Sequence, residues 1–184
     1  DAAWHSADPG IQYDTTINEW HTCPNAGRIN ASNPCSEYMH LDNSACNLAS
    51  LNLMKFLREG GKFDVDMFKR AVDAVITAQD IIVGRSSYPT EKIENNALAY
   101  RELGLGYANL GSLLMVLGLP YDSDKGRVMA GQITSLMCGE AYRMSAVIAS
   151  HKGPFAGYYN DREGTLKVLA THLDSAERLF ENSQ

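Results

Sequence analysis

Apolar positions along this chain change their period near residue 60, from partial alternation before it to helical spacing after it. Residues 11–18, Ile11-Gln12-Tyr13-Asp14-Thr15-Thr16-Ile17-Asn18, follow the turn signal Asp8-Pro9-Gly10 and are rich in β-branched and aromatic side chains, which predicts a strand. Residues 19–32 have no period and contain Pro24, Asn25 and Gly27, so they read as a loop. Two extended pieces, 38–41 and 45–53, flank the polar turn Asp42-Asn43-Ser44.

Past Gly60-Gly61 the apolar residues Val65, Phe68, Val72, Val75, Ile76 and Ile82 recur at steps of three and four. With Asp64 placed to cap and Gly84 to stop, this predicts an amphipathic helix from Val65 to Val83. Thr90 with Glu91 and Glu94 marks the start of a shorter helix through Ile93, Leu98 and Tyr100. Leu103-Gly104-Leu105-Gly106 interrupts the pattern, residues 107–117 resume it, and Gly118 and Pro120 end it. Asp122-Ser123 opens a long helix that ends near Gly153-Pro154, and a last helix covers residues 162–180. Strands first and helices after, with no inter-domain linker, point to an α+β or α/β fold.

Bulk composition narrows the function classes. A chain of 184 residues with 45% hydrophobic and 21% charged positions is long enough for a real core. The net charge of −6 argues against a nucleic-acid or anionic-membrane surface, because both want clustered Lys and Arg. The most apolar run, 110–119, is about half the ~20 residues a membrane-spanning helix needs. Four cysteines (23, 35, 46 and 138) with no Cys-x-x-Cys pair suggest reduced thiols of a cytoplasmic protein. The start at Asp-Ala-Ala-Trp, without Met, suggests a segment of something longer.

The candidate chemistry gathers between residues 29 and 53. Pro34 disfavours the α region at Asn33, so Asn33, Cys35 and Glu37 are expected to alternate along an extended piece and share one face. Cys35 with Glu37 is compatible with a nucleophile and base, a pair of metal ligands, or chance neighbours. No His stands at an informative spacing to favour a thiolate. His21, Cys23, Cys35 and Cys46 lack the tight pairs of a structural zinc site. Cys138, Met137 and Met144 read as helix core, and His151 and His172 as solvated or capping groups. The Leu-Gly-Leu-Gly run fits close backbone packing better than a phosphate loop.

The pattern Asn33-Pro34-Cys35-x-Glu37, followed by Ser44-Ala45-Cys46-Asn47-Leu48-Ala49-Ser50-Leu51-Asn52-Leu53, closely resembles the active-site region of the ribonucleotide reductase catalytic subunit. Agreement extends upstream over residues 8–18 and downstream over Arg101-Glu102-Leu103-Gly104-Leu105-Gly106-Tyr107-Ala108-Asn109-Leu110. Asn-Pro-Cys-Ser-Glu-Tyr and Met-Cys-Gly-Glu-Ala-Tyr (137–142) look most like class II, the adenosylcobalamin-dependent enzymes.

The resemblance implies an α/β fold, namely part of the family's ten-stranded α/β barrel, with a finger loop and several long helices. It implies that Cys35 becomes a thiyl radical and takes the hydrogen atom from C3′ of a ribonucleoside di- or triphosphate. Glu37 would be the base for the 3′-OH and Asn33 the amide that orients the substrate. Cys46 would be one half of the dithiol that supplies electrons, re-reduced by thioredoxin or glutaredoxin. The family's partner cysteine lies upstream of anything here, and its phosphate loop, specificity loops and C-terminal cysteines are absent. The whole chain, 1–184, is therefore expected to be a single segment of a larger barrel domain, from a fragment or a split enzyme. Alternatives are a class I segment whose radical comes from a separate metal subunit, a non-catalytic structural segment, and a thiol-redox or zinc module.

Overall fold

The computed structural model describes residues 1–181. Among them are two strands, β1 (Asn47–Asn52) and β2 (Leu103–Ala108), and seven helices. These are α1 (Ala2–Ser6), α2 (Asp14–Glu19), α3 (Val65–Val83), α4 (Glu91–Tyr100), α5 (Leu110–Val116), α6 (Asp124–Lys152) and α7 (Tyr158–Glu181). β1 and β2 pair in parallel, with Asn47 beside Leu103 and Asn52 beside Ala108. α3 and α4 form the crossover between them, the connection a parallel pair requires. The expected portion of an α/β barrel thus takes the form of one two-stranded parallel sheet among helices and does not close a barrel by itself.

The caps explain why the helical readings hold. Asp64 accepts from Met67 N at 2.8 Å, Thr90 from Ile93 N at 3.3 Å and Ser123 from Gly126 N at 3.1 Å, each satisfying a donor that the first turn leaves open. α3 then buries Phe68, Val72, Ile76 and Val83 along one stripe. That stripe meets Ile133 and Met137 of α6, with Leu53, Phe56 and Leu113 completing the core. Phe56, Phe63 and Phe68 interlock there with ring centroids 5.0 to 6.0 Å apart. Fully buried Phe68 alone contributes about 1.5–3 kcal/mol by removal of its surface from water.

Three expectations change. Residues 11–18 form no strand: α2 covers most of them, and Asn18 Nδ2 reaches back to Asp14 O at 3.0 Å. β-branched residues favour a strand only where a neighbour strand is there to pack them. Residues 38–41 likewise lack a ladder partner, and the second extended piece begins its strand only at Asn47. Leu-Gly-Leu-Gly is the start of β2 rather than a break between helices, and the helix after it begins at Leu110. Gly104 serves close packing as expected, since a Cβ there would lie 2.3 Å from Leu48 Cδ2 and 3.2 Å from Asn47 O.

The sheet has two unlike faces. Leu51, Leu103, Leu105 and Tyr107 pack on the core below α3. Leu48, Ser50 and Asn52 face outward beside Gly104 and Gly106, leaving an open face. Gln79 of α3, 2% exposed, staples the sheet to the helix: its Nε2 donates to Asn47 O at 3.1 Å and to Gly104 O at 2.8 Å. Asn47 Nδ2 donates in return to Gln79 O at 3.1 Å. No described helix is long and apolar enough to cross a membrane.

Candidate active site

Asn33, Pro34, Cys35 and Ser36 make a tight turn rather than an extended piece. Ser36 N donates to Asn33 O at 3.1 Å, and Pro34 occupies the second turn position, where its fixed φ suits the bend. The side chains at 33, 35 and 37 therefore do not share the face of a strand. What unites them is the closure of the loop, because Asn33 N donates to Tyr38 O at 3.2 Å and Tyr38 N donates to Asn33 Oδ1 at 3.0 Å. Ser36 sits at φ 66°, a left-handed conformation uncommon for a residue with a side chain, and Gln12 Nε2 holds its hydroxyl at 2.6 Å. Cys35 and Glu37 stand exposed on this projecting loop, and Asn33 is half-buried at its base.

Cys46 occupies a different setting. It lies just before β1 on the open face of the sheet, half-buried, where its Sγ would stand 3.7 Å from a Cβ on Gly104. Burial, then the charges of Glu102 and Glu37, push its thiol up from the ordinary value. Glu37 on the turn is thus within electrostatic reach of Cys46. All four cysteines are free thiols.

The other candidates separate. Cys23 is buried beside His21, whose Nδ1 accepts from Cys23 N at 3.3 Å and whose Nε2 donates to Gly27 O at 3.1 Å. Burial raises the Cys23 thiol to about 11. With Cys23 inside and Cys35 outside, the His21, Cys23, Cys35, Cys46 set does not assemble; no three His, Cys, Asp or Glu side chains among the described residues are grouped to hold a metal ion. Cys138 is only half-buried and lies 3.9 Å from His172 Nδ1. His172 is no capping group: Tyr142 OH bonds its Nδ1 at 3.0 Å, and its ring packs against Trp20 and Tyr142. His151 is exposed in the last turn of α6.

Behind Cys46 the structure gathers residues that pattern reading did not single out. His40 and Glu102 meet at 2.7 Å, each side chain 9% exposed, with Tyr38 and Tyr100 beside His40. They line one end of a cleft of about 1180 Å³ that runs past Cys23, α3, α6 and α7. The nearest sequence signal was Glu102 heading the Leu-Gly-Leu-Gly run. A chain pairing of residues 40 and 102 leaves no trace in local periodicity.

Residues 1–179 match the sequence profile of the ribonucleotide reductase barrel domain. The chain belongs to the ribonucleotide reductase family. It is 59% identical over 178 residues to a Streptomyces coelicolor protein and 55% identical over 179 residues to one from Rhodopirellula baltica, both named vitamin B12-dependent ribonucleotide reductase. These alignments cover 95% and 97% of this chain but 18% and 17% of the relatives. A Thermoplasma acidophilum relative, 30% identical over 198 residues, covers 98% of the chain and 26% of its own length; it is named vitamin B12-dependent ribonucleoside-diphosphate reductase. The chain therefore spans less than a fifth of the length of these first two relatives.

Proposed function

We propose that this chain is the finger-loop segment of the catalytic barrel of a vitamin B12-dependent ribonucleotide reductase, and that residues 1–184 form one piece of a ten-stranded α/β barrel completed by the remaining segments. The observation that carries the reading is the turn-borne thiol Cys35, with Glu37 on the same loop and within electrostatic reach of a second thiol, Cys46. The names of the relatives support cobalamin rather than a separate metal subunit as the radical source.

Each residue does one thing in this reading. Cys35, exposed on the turn, receives the radical and takes the hydrogen atom from C3′ of the ribose. Glu37 accepts the proton of the 3′-OH, assisting departure of the 2′-OH as water. Asn33 spends its Oδ1 on Tyr38 N, which locks the loop, and keeps its Nδ2 for the substrate. Cys46 and a cysteine from another segment supply the electrons: two thiols become a disulfide with loss of two electrons and two protons. C2′–OH takes up two of each to become C2′–H and water.

Adenosylcobalamin brings its cobalt already held in the corrin, so it requires no metal-ligand cluster from this chain. Its fit here rests on the exposure of Cys35, which a radical source seated on another segment can reach. When bound, the cofactor supplies one-electron chemistry that removes hydrogen from a thiol. The substrate is a ribonucleoside di- or triphosphate, with the Thermoplasma relative's name favouring the diphosphate. Thioredoxin or glutaredoxin resets the dithiol in the cytoplasm.

The deciding experiment is Cys35→Ser in the complete reductase. Turnover is expected to vanish while nucleotide binding persists, and retained turnover would overturn the proposal.

A further inference from the structure

Cys46 stands one residue ahead of β1 and Glu102 one residue ahead of β2. The parallel register pairs Asn47 with Leu103, so one step back along both strands brings Cys46 and Glu102 abreast, side by side on the open face. Gly104 keeps that face clear, since any side chain there would strike Leu48 and press on the carbonyl of Asn47. The uncharged amide of Gln79 fixes both strand starts from the opposite side. The register therefore brings a thiol and a carboxylate to neighbouring positions at the heads of the two strands.

Glu102 is not a solvated surface carboxylate. His40 Nδ1 lies 2.7 Å from its Oε1, each side chain is 9% exposed, and the Tyr38 hydroxyl is buried beside them. A carboxylate so buried is costly unless it is paired.

We propose that Glu102, fixed by His40, is a positioning residue for Cys46: its buried carboxylate, abreast of the sulfur, keeps Cys46 in the S–H form until it yields its hydrogen to the substrate. This rests on the reading of Cys46 as a reducing thiol. Because reduction of C2′–OH consumes two protons along with two electrons, a thiolate would bring the electrons without the proton. Burial, Glu102 and Glu37 all act in the required direction on Cys46. The charged and titratable groups facing this corner are Glu37, Tyr38 and His40 from the loop, Glu102 from the head of β2, Tyr100 from α4, Asp161 from α7, and His21 and Cys23 from the N-terminal loop.

The test is the pH profile of iodoacetamide alkylation of the full chain, followed for each cysteine by mass spectrometry. The profile midpoint, unlike the absolute rate, does not depend on access. In the parent protein the Cys46 midpoint is expected above that of the same residue in urea. Glu102→Gln should lower it by about half to one pH unit, about three- to tenfold faster alkylation at pH 8, while Glu102→Asp keeps the parent midpoint. Cys138, remote from Glu102, reports the fold and should not move. If Glu102→Gln unfolds, the double variant His40→Leu with Glu102→Leu replaces the pair by apolar groups and should lower the midpoint alike. An unmoved Cys46 midpoint in whichever variant folds overturns the inference. Sustained thioredoxin-driven turnover by Cys46→Ser would instead remove the redox role of Cys46 and leave the midpoint result standing.

Discussion

Cys35 and Cys46 lie eleven positions apart in the chain, yet the structure treats them in opposite ways. Cys35 sits exposed on a turn closed by its own backbone and by Asn33. Cys46 sits where a strand begins, half-buried, braced by Gln79 from across the sheet and neighboured by a buried His40–Glu102 pair. A thiol that exchanges hydrogen atoms with groups outside the chain needs reach and a locally stiff loop. A thiol that must hold its proton until needed gains from burial and a nearby negative charge.

The contrast is broken most directly by exchanging the thiols for hydroxyls. Cys35→Ser should leave the ribose of the substrate untouched in the complete reductase, whereas Cys46→Ser should still permit removal of the C3′ hydrogen but not completion of the reduction, because one half of the two-thiol electron source is gone. Release of label from 3′-tritiated substrate separates the two, and full release by Cys35→Ser would collapse the distinction. On the stability side, Phe68→Ala below the sheet should cost about 3–5 kcal/mol in urea unfolding, because it opens a cavity that the Phe56 and Phe63 rings cannot fill. Gln79→Leu should cost about 1–3 kcal/mol, since it strands the carbonyls of Asn47 and Gly104. It should also loosen Cys46 without touching Cys35, visible as faster hydrogen exchange through β1 and β2 but not in the turn at residues 33–38. Pro34→Ala, on the exposed turn, should cost no more than about 1 kcal/mol, acting mostly on the unfolded chain.

The smallest effect is a pH dependence. Burial, and then His40, hold the His21 imidazolium below its usual range. The unfolded chain therefore binds this proton more readily than the folded one. The stabilising contribution is complete above the unfolded value near about 6.5 and is lost as pH falls through the lowered folded value. Urea midpoints measured near neutrality and at mildly acidic pH should converge in His21→Gln, and an undiminished slope would show that His21 does not carry it.

Local chemistry accounted for much of this molecule. The caps Asp64, Thr90 and Ser123 and the stripe on α3 were legible because a helix satisfies its backbone within a short stretch, so its signals are local. Cys35 and Glu37 were legible as a motif, but their geometry was not: proline's restriction on Asn33 suggested a strand, and the backbone bond from Ser36 made a turn. Residues 11–18 had the composition of a strand and became α2, since a strand exists only by virtue of its neighbour.

Long-range partnership decided the remainder. That Leu-Gly-Leu-Gly is β2, that it runs parallel to β1, and that Gln79 clasps both are facts about residues separated by 25 to 56 positions. No local period encodes them, because each backbone group needs a partner but local sequence does not name which. The placement of Glu102 beside Cys46, with His40 against it, belongs to the same class. Side-chain types and spacing marked Asn33, Cys35 and Glu37 as a candidate loop, and only the folded chain set Glu102, with His40 against it, near Cys46.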